Sequence, residues 1–169
     1  MDCEGPQQVE KLLHTFAARQ AQGILAPSLM LLDRSVGSKE EAIKLLTDNL
    51  ELEQRVTTGA LAEAAIWQRE AVFSTALGFS VALPHCKSPD VLHNSISVLR
   101  LSEPLAWGDD VDVTLVIMLT VNENDQHQHM KIFSRLARKL MHTDFRERLI
   151  SIPHSTELVT LLNEHLVVE

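Results

Sequence analysis

Val113-Thr114-Leu115-Val116-Ile117-Met118-Leu119 is almost wholly apolar and rich in β-branched residues. A strand with one wet face alternates polar and apolar side chains, so a run without alternation describes a strand covered on both sides. Helices must lie above and below it, which predicts an α/β fold. Upstream, Asn94 to Leu101 predicts a second strand with mixed faces, and Pro104, Gly108 and two Asp predict a loop between the two. Downstream, the polar stretch from Val121 to Met130 leads into a helix expected to turn Met130, Phe133, Leu136, Ala137, Leu140 and Met141 inward.

Further out, Leu29-Met30-Leu31-Leu32-Asp33 predicts a short buried strand, and Ser38-Lys39-Glu40-Glu41 has the spacing of a capping box. Ala42, Leu45, Leu46 and Leu50 supply the stripe of the helix it starts. Another helix follows Thr57 or Thr58, runs through Leu61, Ala64, Ala65 and Trp67, and carries Arg69 near its end. Two short helices close the chain, with Thr143 and Ser155 as N-caps. Phe145, Leu149 and Ile150, then Leu158, Leu161, Leu162 and Leu166, are expected to face inward. His142, His154 and His165 read as exposed residues of helix ends. Ahead of all this, Val9, Leu12, Leu13, Phe16 and Ala17 stand at helical spacing between Pro6 and Gln22, with Gly23 as a stop. An N-terminal helical extension, residues 1–28, packed on one domain, residues 29–169, is expected, the boundary being where the resemblance described below begins.

Composition narrows the function. The 169 residues, 45% apolar and 4% aromatic, describe a single aliphatic core. No apolar run approaches the roughly 18 residues that span a bilayer, so no membrane insertion is expected. A net charge of −8 argues against a nucleic-acid partner, because phosphate backbones need a basic footprint. Asp2 and Glu4 stand where a secretory signal would be positive, and two cysteines make no disulfide framework. Both point to the cytoplasm.

Chemistry concentrates in Gly78-Phe79-Ser80-Val81-Ala82-Leu83-Pro84-His85-Cys86-Lys87. Phe79, Val81 and Leu83 alternate with Ser80 and Ala82, which predicts a strand ended by Pro84, a residue with no N–H for a ladder. His85 then sits on a stiff tether, with an imidazole that is nucleophilic and partly neutral near pH 7. Arg69 precedes it by a short apolar link, and a guanidinium grips phosphate oxygens with a planar fork. Beyond the central strand, His129 stands at the head of a helix, where unpaired N–H groups favour an anion. There is no Walker-type loop and no Asp-rich metal cluster in the sequence.

Three pieces in order carry a resemblance: Arg69-Glu70, then Ala82-Leu83-Pro84-His85, then His129-Met130-Lys131-Ile132-Phe133-Ser134-Arg135-Leu136-Ala137. The chain resembles, from about Leu29 to Leu166, the enzyme IIA domain of the fructose/mannitol class of the bacterial sugar phosphotransferase system. The resemblance implies a single-domain α/β/α sandwich with a mixed sheet of four to five strands. It makes His85 the phosphoryl-accepting nucleophile, with Arg69 and His129 stabilising the phosphoryl group. It implies a phosphotransferase with no cofactor and no metal, since the phosphoryl group arrives already on a high-energy nitrogen. The donor is the phosphocarrier protein HPr, and the acceptor is a cysteine of an enzyme IIB that serves a membrane permease, IIC. Many family members have Gly after the histidine where this chain has Cys86. If that position needs φ > 0, the Cβ strains the loop.

Three other readings remain. His127, His129 and His85 would chelate a metal if the segment around Gln128 were extended. A domain of this kind also serves as a regulatory sensor of phosphorylation state. A binding module without chemistry would take no phosphate at all.

Overall fold

The computed structural model describes residues 23–108 and 110–167. The expected helix of residues 6–22 lies outside them. Six strands form one mixed sheet: β1 Met30–Arg34, β2 Ala76–Gly78, β3 Val81–Ala82, β4 His85–Ser88, β5 Ser95–Gly108 and β6 Val111–Asn122. The helices among the described residues are α1 Lys39–Leu52, α2 Gly59–Glu70, α3 Gln126–Lys139, α4 Thr143–Ser151 and α5 Ser155–Leu162, with short 3₁₀ and π turns beside them.

The stretch that predicts the fold is the middle of β6. Every residue from Leu115 to Val121 is buried, which requires cover on both faces. β6 pairs antiparallel with β5, and β5 pairs parallel with β1 on its far side. On its other side β6 carries β3 and then β4, both parallel and in one register. Val81 lies opposite Leu115 and Ala82 opposite Val116; past Pro84, His85 lies opposite Leu119 and Cys86 opposite Thr120. β2 completes the sheet by pairing antiparallel with β3. The α/β sandwich with a mixed sheet therefore stands, with β3 and β4 sharing one column. Among the described residues no helix is long and apolar enough to cross a membrane.

Helix starts follow their polar side chains. Ser38 Oγ accepts the Glu41 N–H at 3.1 Å, and Thr58 Oγ1 accepts the Leu61 N–H at 3.2 Å. The Glu41 carboxylate accepts from Gly37 N–H, one residue before the partner a capping box uses. Arg100, buried on β5, clasps the Asp33 carboxylate through Nε and Nη2, and its Nη1 donates to the carbonyls of Leu149 and Ile152. It satisfies the orphan acceptors at the end of α4 and locks that helix to two strands.

Several expectations need correction. Phe79 and Ser80 are not strand residues: their φ values of 57° and 63°, after Gly78 at 107°, make the turn between β2 and β3. Pro84 does stand in the break between β3 and β4, but the break is short. The Pro84 carbonyl accepts the Leu119 N–H at 3.0 Å, so the line along β6 resumes at His85. Pro104 is inside β5, where the register with β6 shifts between Arg100 and Leu105, and such an irregularity tolerates a residue without an N–H. Thr143 and Ser155 are the first helical residues, preceded by His142 and His154 in extended conformation, not side-chain caps. Met130, Met141 and Ile150 are exposed, whereas Ile132, unassigned in the sequence, is buried.

Candidate active site

His85 opens β4, and the strand decides which way its ring faces. Neighbours on a strand point to opposite sides, so Cys86 goes into the core at 5% exposure while the imidazole stays half-buried toward the helices. One ring nitrogen, Nδ1, lies 2.8 Å from the Leu83 carbonyl. A carbonyl only accepts, so Nδ1 carries the proton. The other nitrogen, Nε2, accepts from Arg69 Nε–H at 3.2 Å. A guanidinium only donates, so Nε2 presents a lone pair, and the two bonds select the same tautomer.

Arg69 is brought in by the last turn of α2 and steadied by a second bond, Nη1 to the Phe73 carbonyl at 2.8 Å. Phe133 of α3 closes the other side of the ring, with centroids 4.8 Å apart at 56°. The imidazole pKa is pushed below its ordinary value, first by burial; the Leu83 bond raises it in part, and Arg69 lowers it further. A neutral imidazole with a fixed Nδ1–H and an Nε2 lone pair aimed at a guanidinium is a nucleophile prepared for an electrophile that carries anionic oxygens.

Of the three residues singled out in the sequence, His85 and Arg69 meet directly. Position 129 lies in the first turn of α3, one helical turn before Phe133, and the His129 side chain lies outside the described residues. Because α3 begins at Gln126, His127 and His129 are two apart on a helix, where they do not share a face. The extended segment that a chelating pair requires is therefore not formed. Cys86 has no positive φ and its thiol is pushed up to about 12 by burial, so it is a core residue of β4 and not a partner in chemistry. Phe133 contributes a wall to the site that the sequence assigns only to the core. Its place four residues after His129 on an amphipathic helix was the available signal.

A family described as "Phosphoenolpyruvate-dependent sugar phosphotransferase system, EIIA 2" matches residues 23–165. Multiphosphoryl transfer protein 2 of Escherichia coli is 43% identical over 168 residues, a match covering 98% of this chain and 20% of that protein. The chain thus spans about a fifth of the length of the multiphosphoryl transfer proteins it matches. The mannitol-specific phosphotransferase enzyme IIA component of Bacillus subtilis is 32% identical over 145 residues, covering 83% of this chain and 97% of that one. Among solved structures, the complex of enzyme IIAMTL and phosphorylated enzyme IIBMTL from Escherichia coli matches with a TM-score of 0.71 and 26% identity, over 83% of this chain and 97% of that one.

Proposed function

Because the chain belongs to the EIIA 2 family of the phosphoenolpyruvate-dependent sugar phosphotransferase system, we propose that His85 is its phosphoryl carrier, loaded by the phosphocarrier HPr and discharged to a cysteine of an enzyme IIB. Nε2 attacks the phosphorus of the donor's phosphohistidine in line; the new P–N bond forms as the donor's P–N bond breaks, and the donor imidazole leaves. The Nδ1 proton stays on its bond to the Leu83 carbonyl throughout. Arg69, already within 3.2 Å of Nε2, is placed to follow the arriving phosphoryl oxygens. In the second half the IIB thiolate attacks the same phosphorus, and Nε2 recovers its lone pair.

The single observation that carries this reading is the pair of bonds on the ring, Nδ1 to Leu83 and Nε2 to Arg69, which leaves one nitrogen nucleophilic beside an anion receptor. Position 129 supports it. It lies in the first turn of α3, one turn before the Phe133 that packs on His85, where helix N–H groups favour an anion and an imidazole would donate to a phosphoryl oxygen. Val72 and Phe73, 67% and 72% exposed, lie three and four residues after Arg69 and offer an apolar rim on which protein partners can seat. Transfer between protein carriers is in keeping with a cytoplasmic site of action, upstream of a membrane permease, IIC. The phosphorylated IIB in the complex with IIAMTL supports the acceptor.

The test is incubation with phosphoenolpyruvate, enzyme I and HPr. We expect acid-labile, base-stable phosphate on wild-type protein and none on His85→Ala. Label that survives His85→Ala would overturn the assignment.

A further inference from the structure

The loop that carries Phe73 is closed by a charge that the transfer chemistry above does not employ. Glu70 is the last residue of α2, and its side chain is 2% exposed. A carboxylate at that end of a helix opposes the helix dipole, and burial strips it of water, so the position is unfavourable unless neighbours compensate. Lys39 Nζ lies 2.7 Å from Oε1, the Thr75 N–H donates to Oε1 at 3.3 Å, and the Thr75 hydroxyl donates to Oε2. Lys39 is itself held over the rings of Trp107 and Trp67, 4.9 and 5.5 Å from their centroids.

The clasp on Thr75 reaches the imidazole in two further steps. The Thr75 carbonyl accepts the Leu83 N–H at 2.9 Å, and the Leu83 carbonyl accepts from His85 Nδ1 at 2.8 Å. Between Glu70 and Thr75 the chain presents the Phe73 carbonyl that steadies Arg69. One buried carboxylate therefore anchors both the tether of the ring and the tether of the guanidinium.

We propose that Glu70, acting through Thr75, is a positioning residue for phosphoryl transfer: it holds Nε2 of His85 and the Arg69 fork in register with each other. The proposal rests on the reading of His85 as the phosphoryl acceptor, and its test keeps the two apart. Thr75 is 7% exposed, so both its volume and its hydroxyl matter, and two variants separate them. Thr75→Val keeps the shape and loses the donor to Glu70; Thr75→Ser keeps the donor and loses a methyl group. Rates of phosphoryl uptake from phospho-HPr are measured for wild type and both variants, with circular dichroism to confirm folding. We expect Thr75→Val to slow uptake about tenfold or more, since small misplacements of reacting groups are costly in rate, and Thr75→Ser to stay within about twofold of wild type. If Thr75→Val does not fold, Thr75→Ala takes its place as the hydroxyl-free variant, with the same slowing expected. A valine variant as fast as wild type, or a serine variant slower than the valine one, overturns the positioning role. Wild-type protein that takes up no phosphate overturns the reading of His85 instead.

Discussion

Arg69→Lys keeps the charge of residue 69 and removes its fork. In the structure the guanidinium does two things at once: Nε donates to His85 Nε2 at 3.2 Å while Nη1 holds the Phe73 carbonyl at 2.8 Å. An ammonium is a single donor point on a flexible stem and cannot occupy both places. Loss of one fixed donor at a developing anionic oxygen costs roughly 10²–10³ in rate. The retained charge recovers part of this: a unit pair about 4 Å apart near a protein surface is worth about 4 kcal/mol before desolvation and reorganisation are subtracted. We therefore expect transfer from phospho-HPr to Arg69→Lys to be slower by about 10–10²-fold, and to Arg69→Ala by about 10²–10³-fold. Rapid-quench measurement of phosphohistidine formation reads both, and equal thermal midpoints would assign the loss to the site, not to folding. Lysine working as well as arginine would show that charge alone matters and would refute the argument from the fork. Alanine working as well would remove Arg69 from the site.

The imidazole itself gives a second prediction. Its pKa is held below the ordinary 6.5, first by burial, so the ring is neutral at pH 7 and the acid limb of the transfer rate lies below pH 6.5. The sign for stability follows: the unfolded chain takes up this proton first as pH falls, so the His85 contribution is present above pH 6.5 and is lost as pH drops through the folded value. An NMR titration placing His85 at or above 6.5 would contradict both statements. Cys86, with its thiol pushed up to about 12, should be inert. At pH 8 its thiolate fraction is on the order of 10⁻⁴, so in a Cys3→Ser background native protein should alkylate at least ~10³-fold more slowly than an exposed thiol. Rapid labelling would put Cys86 outside the core. Gly59→Ala would bring a Cβ to 3.2 Å from the Thr47 carbonyl oxygen, which is backbone and cannot step aside. Overpacking of about 1–3 kcal/mol should outweigh a helix-propensity gain of up to about 1 kcal/mol, and a urea midpoint above wild type would show otherwise.

What was legible in the sequence depended on how many signals agreed. β6 was plain because a long unbroken apolar run has one reading, whereas the β2–β3 turn was hidden because Phe79 and Ser80 continue the alternation of a strand while sitting in left-handed conformation. The extension of β5 through Pro104 needed knowledge of a register shift that only the partner strand supplies. On α3 the inward face centres on Leu136, flanked by Ile132 and Leu140; at about 100° per residue Met130 and Met141 fall 120–140° away, and methionine in a stripe count gives no warning of that. The pairing of His85 with Arg69 was legible from order along the chain. The Glu70–Thr75–Leu83 connection was not, since it joins three segments partly through backbone atoms that no residue pattern announces. The one hint was an acidic side chain at the wrong end of a helix.

The unbroken register of β3 and β4 along β6 has a kinetic consequence. On the proposed carrier role, a side chain fastened to a strand that is itself paired to β6 cannot ferry its cargo from one protein to another; the delivering protein has to depart before the receiving one arrives. Throughput of such a carrier is then governed by how fast its visitors exchange, and an excess of either one should jam the traffic of the other.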